Sequence, residues 1–210
     1  MMSTEKIIAS YLLQIKAIKL EPAKPFTWAS GWKSPIYCDN RKTLAYPEIR
    51  SFIRDSFVEL IKKEFPAAEI IAGVATGAIA QGALVADKLG LPFIYIRSTP
   101  KSHGLENLIE GHLEPGKNVV IIEDLISTGG SSIKAVEAVR NADAKVLGLA
   151  AIFTYGFKIA DNNFKQNNCK FFTLSNYNVL IDEAIKLNYI NENDRNILNQ
   201  WRLNPDKWNV

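Results

Sequence analysis

An α/β fold, with a central and mainly parallel sheet flanked by helices, is what this sequence predicts. Two observations carry the prediction. From about residue 66 onward, short β-branched runs alternate with helical stretches of about 10 to 12 residues, the pattern of a parallel sheet covered on both faces. The most apolar of these runs, Val119, Val120, Ile121 and Ile122, leads straight into two adjacent carboxylates, Glu123 and Asp124, and then into a hydroxyl-and-glycine turn. That run is too short and too β-branched for a helix and suits a buried parallel strand. At 210 residues the chain fits a single domain, with room for a small subdomain.

The elements follow in order. Ile7, Tyr11, Leu12, Ile15 and Ile18 make a helical stripe, which Pro22 and Pro25 are expected to end. Residues 26–41 are rich in turn formers and hold a short strand at 36–38. A second helix is predicted over 47–65. Pro47 suits its first turn, and Phe52, Ile53, Phe57, Leu60 and Ile61 form its apolar face. Strands are then predicted at 69–74, 93–97, 118–124, 145–153 and 170–174, and helices at 78–89, 132–141, 177–187 and 192–201. The stretch between strands 93–97 and 118–124 carries Gly104, Gly111 and Gly116. It is read as a lid with room for a β-hairpin, because long loops in compact domains are usually functional or mobile.

Composition narrows the function classes. Hydrophobic residues at 47% and charged residues at 22% are ordinary for a soluble globular protein. No apolar run reaches the ~18 residues of a membrane span. The N-terminal stretch is interrupted by Glu5, Lys6 and Lys16 and reads as an amphipathic helix instead of a signal peptide, so a cytoplasmic location is the default. A net charge of +3 is too small to argue for a nucleic-acid partner, though it is compatible with a local basic pocket for an anionic substrate. Cys38 and Cys169 are far apart and are expected to be packed thiols. His103 and His112 are the only histidines, which excludes a multi-histidine metal site.

Glu123 and Asp124 fall at the carboxyl end of their strand, where open α/β sheets place ligands. Ser127, Thr128, Gly129, Gly130, Ser131 and Ser132 follow. They supply hydroxyls, closely approachable backbone and the N-terminus of a helix, which attracts phosphate. Acceptors for a diol thus stand beside donors for a phosphate monoester, the pair that a ribose 5-phosphate needs. Two other glycine-bearing segments bear on phosphate binding. Residues 111–118 have the spacing of a Walker A loop, but Asn118 replaces its Ser/Thr and the segment precedes a strand, so Lys117 is read as a solvated lysine. Residues 73–78 lack the spacing of a dinucleotide turn, yet their small side chains allow a close backbone approach to an anion.

Residues 119–132 resemble the phosphoribosyl-diphosphate (PRPP) motif of the type I phosphoribosyltransferases. The resemblance implies that family's fold, with Glu123 and Asp124 holding the ribose diol and residues 127–132 holding the 5-phosphate. It also implies that Ala75 and Thr76 lie in the turn that binds pyrophosphate. A second resemblance is to the orotate branch of the family, through Phe26, Ser30, Gly31, Ser34, Pro35 and Tyr37 and through Lys101, His103 and Gly104. It implies an N-terminal hood over a planar base, with Tyr37 stacking on the ring and Lys33, Arg41 or Ser127 meeting its carboxylate. Arg97, Lys101 and His103 are implied at the pyrophosphate, with Lys101 and His103 on the lid joining Asp124 as catalytic residues. Ser98 stands where a second basic residue is common, Gly77 where some members carry lysine and Ala29 where some have a basic residue, and an arginine that some carry near Tyr155 is missing.

The implied reaction joins PRPP to orotate, giving orotidine 5-monophosphate and pyrophosphate in pyrimidine synthesis. Magnesium is expected to ride on PRPP, with no direct protein ligand. The family further implies a two-fold homodimer, with Lys101 reaching into the neighbouring site. The hood spans about 1–65, helped by C-terminal helices over 176–210, and the PRPP-binding core spans about 66–175. The rival readings are a transferase for another base and a non-catalytic PRPP sensor.

Overall fold

The computed structural model describes residues 2–28, 30–99 and 108–208. Its N-terminal part runs α1 (Thr4–Gln14), β1 (Ile18–Leu20), β2 (Phe26–Thr27), β3 (Lys33–Ser34), β4 (Ile36–Cys38), a 3-10 helix (Asn40–Ala45) and α2 (Pro47–Glu64). The alternating part follows as β5 (Ile70–Val74), α3 (Ile79–Leu89), β6 (Phe93–Ile96), β7 (Ile109–Glu110), β8 (Asn118–Ile126), α4 (Gly130–Asn141) and β9 (Lys145–Thr154). The chain closes with α5 (Lys158–Gln166), β10 (Phe171–Asn176), α6 (Tyr177–Lys186) and α7 (Glu192–Leu203).

The central sheet has six strands in the order β10-β9-β8-β5-β6-β7. Five are parallel, as expected. The sixth, β7, is a two-residue antiparallel edge strand that returns along β6. The pleat sorts each strand's residues onto two faces. Ile71, Val120, Ile122, Ala150 and Ile152 face a core built with Ile8 and Leu12 of α1, Ile53 and Phe57 of α2, Leu180 of α6 and Trp201 of α7. Ile70, Ala72, Val119, Ile121, Leu149 and Ala151 face the other core, closed by Ile133, Val136 and Val139 of α4 and by Ala160 and Phe164 of α5. Each fully buried aliphatic side chain contributes about 1.5–3 kcal/mol. The central strands are apolar on both faces for that reason.

Several expectations change. The first helical stripe does not reach Ile18: α1 ends at Gln14, Lys16 turns with φ of 53°, and Ile18 starts a strand paired with Cys38. Ile18 is fully buried in that ladder, so its place in the stripe marked burial and not a further helical turn. The β2–β3 hairpin, the 3-10 helix and α5 were not anticipated. α5 is poor in helix formers and is decided by tertiary packing of Ala160 and Phe164, the latter 4.4 Å from the Phe171 ring. Lys117 is not simply solvated, since its Nζ donates to Glu69 at 2.9 Å. That half-exposed pair contributes little to stability. Of the two thiols expected to be packed, Cys169 is buried and Cys38 is half-buried. Among the described residues no helix is long and apolar enough to cross a membrane.

Candidate active site

β5 and β8 are hydrogen-bonded neighbours in the sheet, so the turns that leave their carboxyl ends emerge side by side. The β5 turn carries Ala75, Thr76 and Gly77, and the Ala75–Thr76 peptide is cis. The β8 turn carries the acidic pair. The two turns touch: a Cβ placed on Gly77 would overlap all three atoms of the Asp124 carboxylate group. Gly73 and Gly82 allow a similarly close seat for α3 against β5.

The two acids differ in their surroundings. Asp124 is half-buried, whereas Glu123 is 4% exposed. Glu123 Oε2 accepts from Ser132 Oγ at 3.1 Å, and its Oε1 accepts from the Asp124 backbone N–H at 3.1 Å. Burial pushes the Glu123 carboxyl well above the usual range, and the neighbouring Asp124 charge adds to this. Glu123 thus ties β8 to the first turn of α4.

That first turn starts from Gly129, whose φ of +83° places it in the left-handed region and bends the strand into the helix. The first N–H groups of a helix have no intrahelical acceptor and suit an anion. Of the hydroxyls anticipated here, Ser131 is exposed, Ser127 and Thr128 are half-buried, and Ser132 is fully buried against Glu123. Asn163 on α5, which the sequence did not single out, donates to the Thr128 carbonyl at 2.8 Å and pins the turn.

Beside Asp124 opens a pocket of about 260 Å³ lined by Thr27, Trp28, Tyr37, Cys38, Leu125, Ser127 and Tyr155. It brings two anticipated residues, Tyr37 and Ser127, together across the N-terminal segment and the β8 turn. Trp28 and Tyr155 were not assigned to this site from sequence. Their rings lie 5.3 Å apart, and Trp201 of α7 packs edge-on to both at 5.6 and 5.7 Å. Trp28 Nε1 donates to the Ile36 carbonyl at 3.1 Å and Trp201 Nε1 to that of Lys33 at 3.2 Å, so the pocket wall is braced from the C-terminal end of the chain.

The anticipated cations are placed unequally. Lys33 does not line the pocket, but its Nζ donates to Thr27 Oγ1, which does, at 2.8 Å. Arg41 is drawn to Asp39, with Nε 2.6 Å from Oδ1. The hydrogen bond from Arg41 holds the Asp39 carboxyl below the usual range. Arg97, at the end of β6, faces Glu110 of β7 at 3.3 Å. Lys101 and His103 lie outside the described residues. Among the described residues no cluster of three or more His, Cys, Asp or Glu side chains could hold a metal ion.

Residues 43–186 match the phosphoribosyl transferase domain, and they include both turns, the acidic pair and α4. The chain belongs to the phosphoribosyl transferase family. This phosphoribosyltransferase is similar to the orotate phosphoribosyltransferase of Porphyromonas gingivalis, with 58% identity over 205 residues covering 98% of each chain. Among solved structures, the Leishmania donovani UMP synthase matches 94% of this chain at 25% identity with a TM-score of 0.78, and the chain spans 42% of that protein's length. The orotate phosphoribosyltransferase of Aeropyrum pernix matches 87% of this chain and 99% of its own, at 24% identity and a TM-score of 0.75. These two likenesses show the shared fold.

Proposed function

We infer that the protein transfers the phosphoribosyl group of PRPP to orotate, giving orotidine 5-monophosphate and pyrophosphate in de novo pyrimidine synthesis. The observation that carries this reading is the 58% identity to an orotate phosphoribosyltransferase along nearly the whole of both chains. The geometry supports it, since a pocket with aromatic walls is lined by Leu125 and Ser127, just past the acidic pair, and the β5 turn packs against Asp124. A planar base, a ribose diol and a pyrophosphate would meet there.

In this reading a ring nitrogen of orotate forms a bond to the ribose anomeric carbon as the bond to pyrophosphate breaks, and no protein nucleophile is needed. Catalysis is positioning plus stabilisation of charge on the leaving group. Asp124 holds the ribose hydroxyls. Glu123, already accepting from Ser132 and the Asp124 N–H, joins it through its remaining acceptor sites. The N–H groups and hydroxyls of residues 127–132 hold the 5-phosphate. Ala75 and Thr76, with Arg97, Lys101 and His103, take the pyrophosphate. Tyr37, Trp28 and Tyr155 bound the base, and Ser127 with Lys33 is better placed for its carboxylate than Arg41, which Asp39 engages. Hard oxygen donors suit magnesium, and the one half-open carboxylate of the pair fits an ion that arrives on substrate phosphates. Bound in that way, magnesium would neutralise phosphate charge.

The test is pyrophosphate release with PRPP, magnesium and a panel of bases. Orotate should turn over, while uracil, which lacks the carboxylate, should be at least about a hundredfold poorer, because a site built for a polar group is left unpaired by an analogue without it. Equal turnover with uracil or adenine would refute the assignment of the base.

We also propose a two-fold homodimer in the cytoplasm in which Lys101 serves the neighbouring site. Mixing inactive Lys101→Ala and Asp124→Asn subunits, once exchange is shown by tagged pull-down, should restore roughly a quarter of wild-type activity, because half the dimers are mixed and each has one intact site. A mixture that exchanges but stays inactive would show that Lys101 acts within its own subunit.

A further inference from the structure

The Asp124 carboxylate packs against Gly77 of the β5 turn, and the Asp124 backbone has a partner outside the sheet. The parallel pairing of β8 with β5 stops at Ile122 and Gly73, two residues before Asp124. Pairing with β9 continues past Asp124 to Ile126, and where β5 has ended the Asp124 carbonyl accepts a hydrogen bond from Asn40 Nδ2 at 2.6 Å. Asn40 lies 84 positions earlier in the chain and is 1% exposed. Both its side-chain amide and its backbone carbonyl have further partners. Cys38 Sγ–H donates to Asn40 Oδ1 at 3.3 Å, which turns Nδ2 toward Asp124. The Asn40 carbonyl accepts from Thr43 Oγ1 at 2.6 Å, and Thr43 is itself buried. Burial pushes the Cys38 thiol well above its usual pKa, with the charge of Asp124 adding to this, so it stays a donor. Cys38 also lines the pocket assigned to the base.

We infer that Asn40 is a positioning residue for phosphoribosyl transfer: its buried amide sets the place of Asp124 where β8 has lost β5 and is held by β9 alone, and so the fit of the ribose diol. The inference deepens the functional reading above and rests on its assignment of Asp124 to PRPP. Its physical basis is that a strand end released from one neighbour has a freer backbone, while a buried hydrogen bond left half-made is costly. A carboxylate displaced by a fraction of an ångström loses a directional bond to a hydroxyl. Nothing in this scheme requires Asn40 to touch substrate.

The experiment is a double-mutant cycle read by calorimetric titration with magnesium and PRPP, without a base, so that no turnover occurs. Asn40→Ala should weaken PRPP binding by about tenfold in the parent and by less than about twofold in an Asp124→Ala background. The orotate KM should stay within about twofold, a split that general loosening of the fold would not give. Asn40→Leu keeps the volume but cannot donate, and should reproduce the loss if Asn40→Ala unfolds. Equal losses in both backgrounds, or unchanged PRPP affinity in either folded variant, would overturn the inference. So would failure of both variants to fold, since Asn40 would then serve the architecture alone. If the parent binds PRPP but forms no product from orotate, the choice of base fails while the cycle still decides the role of Asn40. If the parent does not bind PRPP, both fall.

Discussion

Replacing Gly77 with alanine is expected to lower kcat/KM for PRPP by about a hundredfold while leaving the melting temperature within about 2 °C of the parent. The new Cβ would stand inside van der Waals contact with every atom of the Asp124 carboxylate group, which is the mobile end of a side chain and not backbone. The fold can therefore accept the methyl by turning Asp124 aside. The site cannot, because the diol loses its acceptor and each charged hydrogen bond lost costs about 1.5–3 kcal/mol. Steady-state kinetics at varied PRPP, with a thermal melt of the same sample, checks both halves. Near-normal use of PRPP would mean that Asp124 is not held against the β5 turn during the reaction.

Replacing Trp201 with alanine should show the opposite balance, a loss of stability first. The ring is fully buried against Trp28, Tyr155, Phe157 and Tyr177, and its N–H is bonded to the Lys33 carbonyl. Removing a buried tryptophan costs about 3–5 kcal/mol, which for a chain of this length lowers the melting temperature by about 10 °C. Trp28 leans on Trp201 and lines the base pocket, so the orotate KM should rise as well. Denaturant unfolding and orotate kinetics on the same variant measure the two effects. A variant with parental stability would show that α7 does not brace the pocket wall.

The contrast between these two sites shows what could be read from the chain directly. The acidic pair with its hydroxyl-glycine turn is contiguous, so its chemistry and its place at a strand end are both written in local order. Helix α2 and strands β5, β6, β8 and β9 were likewise legible, because each buries a continuous run or a regular stripe. The base pocket was only half legible. Tyr37 and Ser127 stand in recognisable motifs, but Trp28, Cys38, Leu125 and Tyr155 come from separate elements. In the sequence Tyr155 drew notice only as a marker near which an arginine is missing, and in the fold it is a buried wall. Asn163 and Asn40 carried no signal, because an asparagine that bonds a distant carbonyl looks like any turn asparagine. Helix α5 failed for the same reason: its own residues favour turns, and its packing partners lie elsewhere.

By itself, then, the sequence determined the parallel α/β frame, the acidic pair at the end of β8 and the glycine-hydroxyl turn into α4. Short-range periodicity and turn chemistry suffice for features whose partners are neighbours in the chain. Only the tertiary structure decided that Glu123 is drawn inward to Ser132 while Asp124 remains half-open, and that Gly77 gives that carboxylate its space. The tertiary structure alone, too, placed Asn40 on the Asp124 carbonyl and Trp201 behind the pocket wall. Glu123 and Ser132 are nine positions apart but on different elements, and the other contacts join residues 47 to 173 positions apart, from Gly77 with Asp124 to Trp28 with Trp201. Hydrogen bonds and packing at such separations depend on where whole elements come to rest, which no local pattern records.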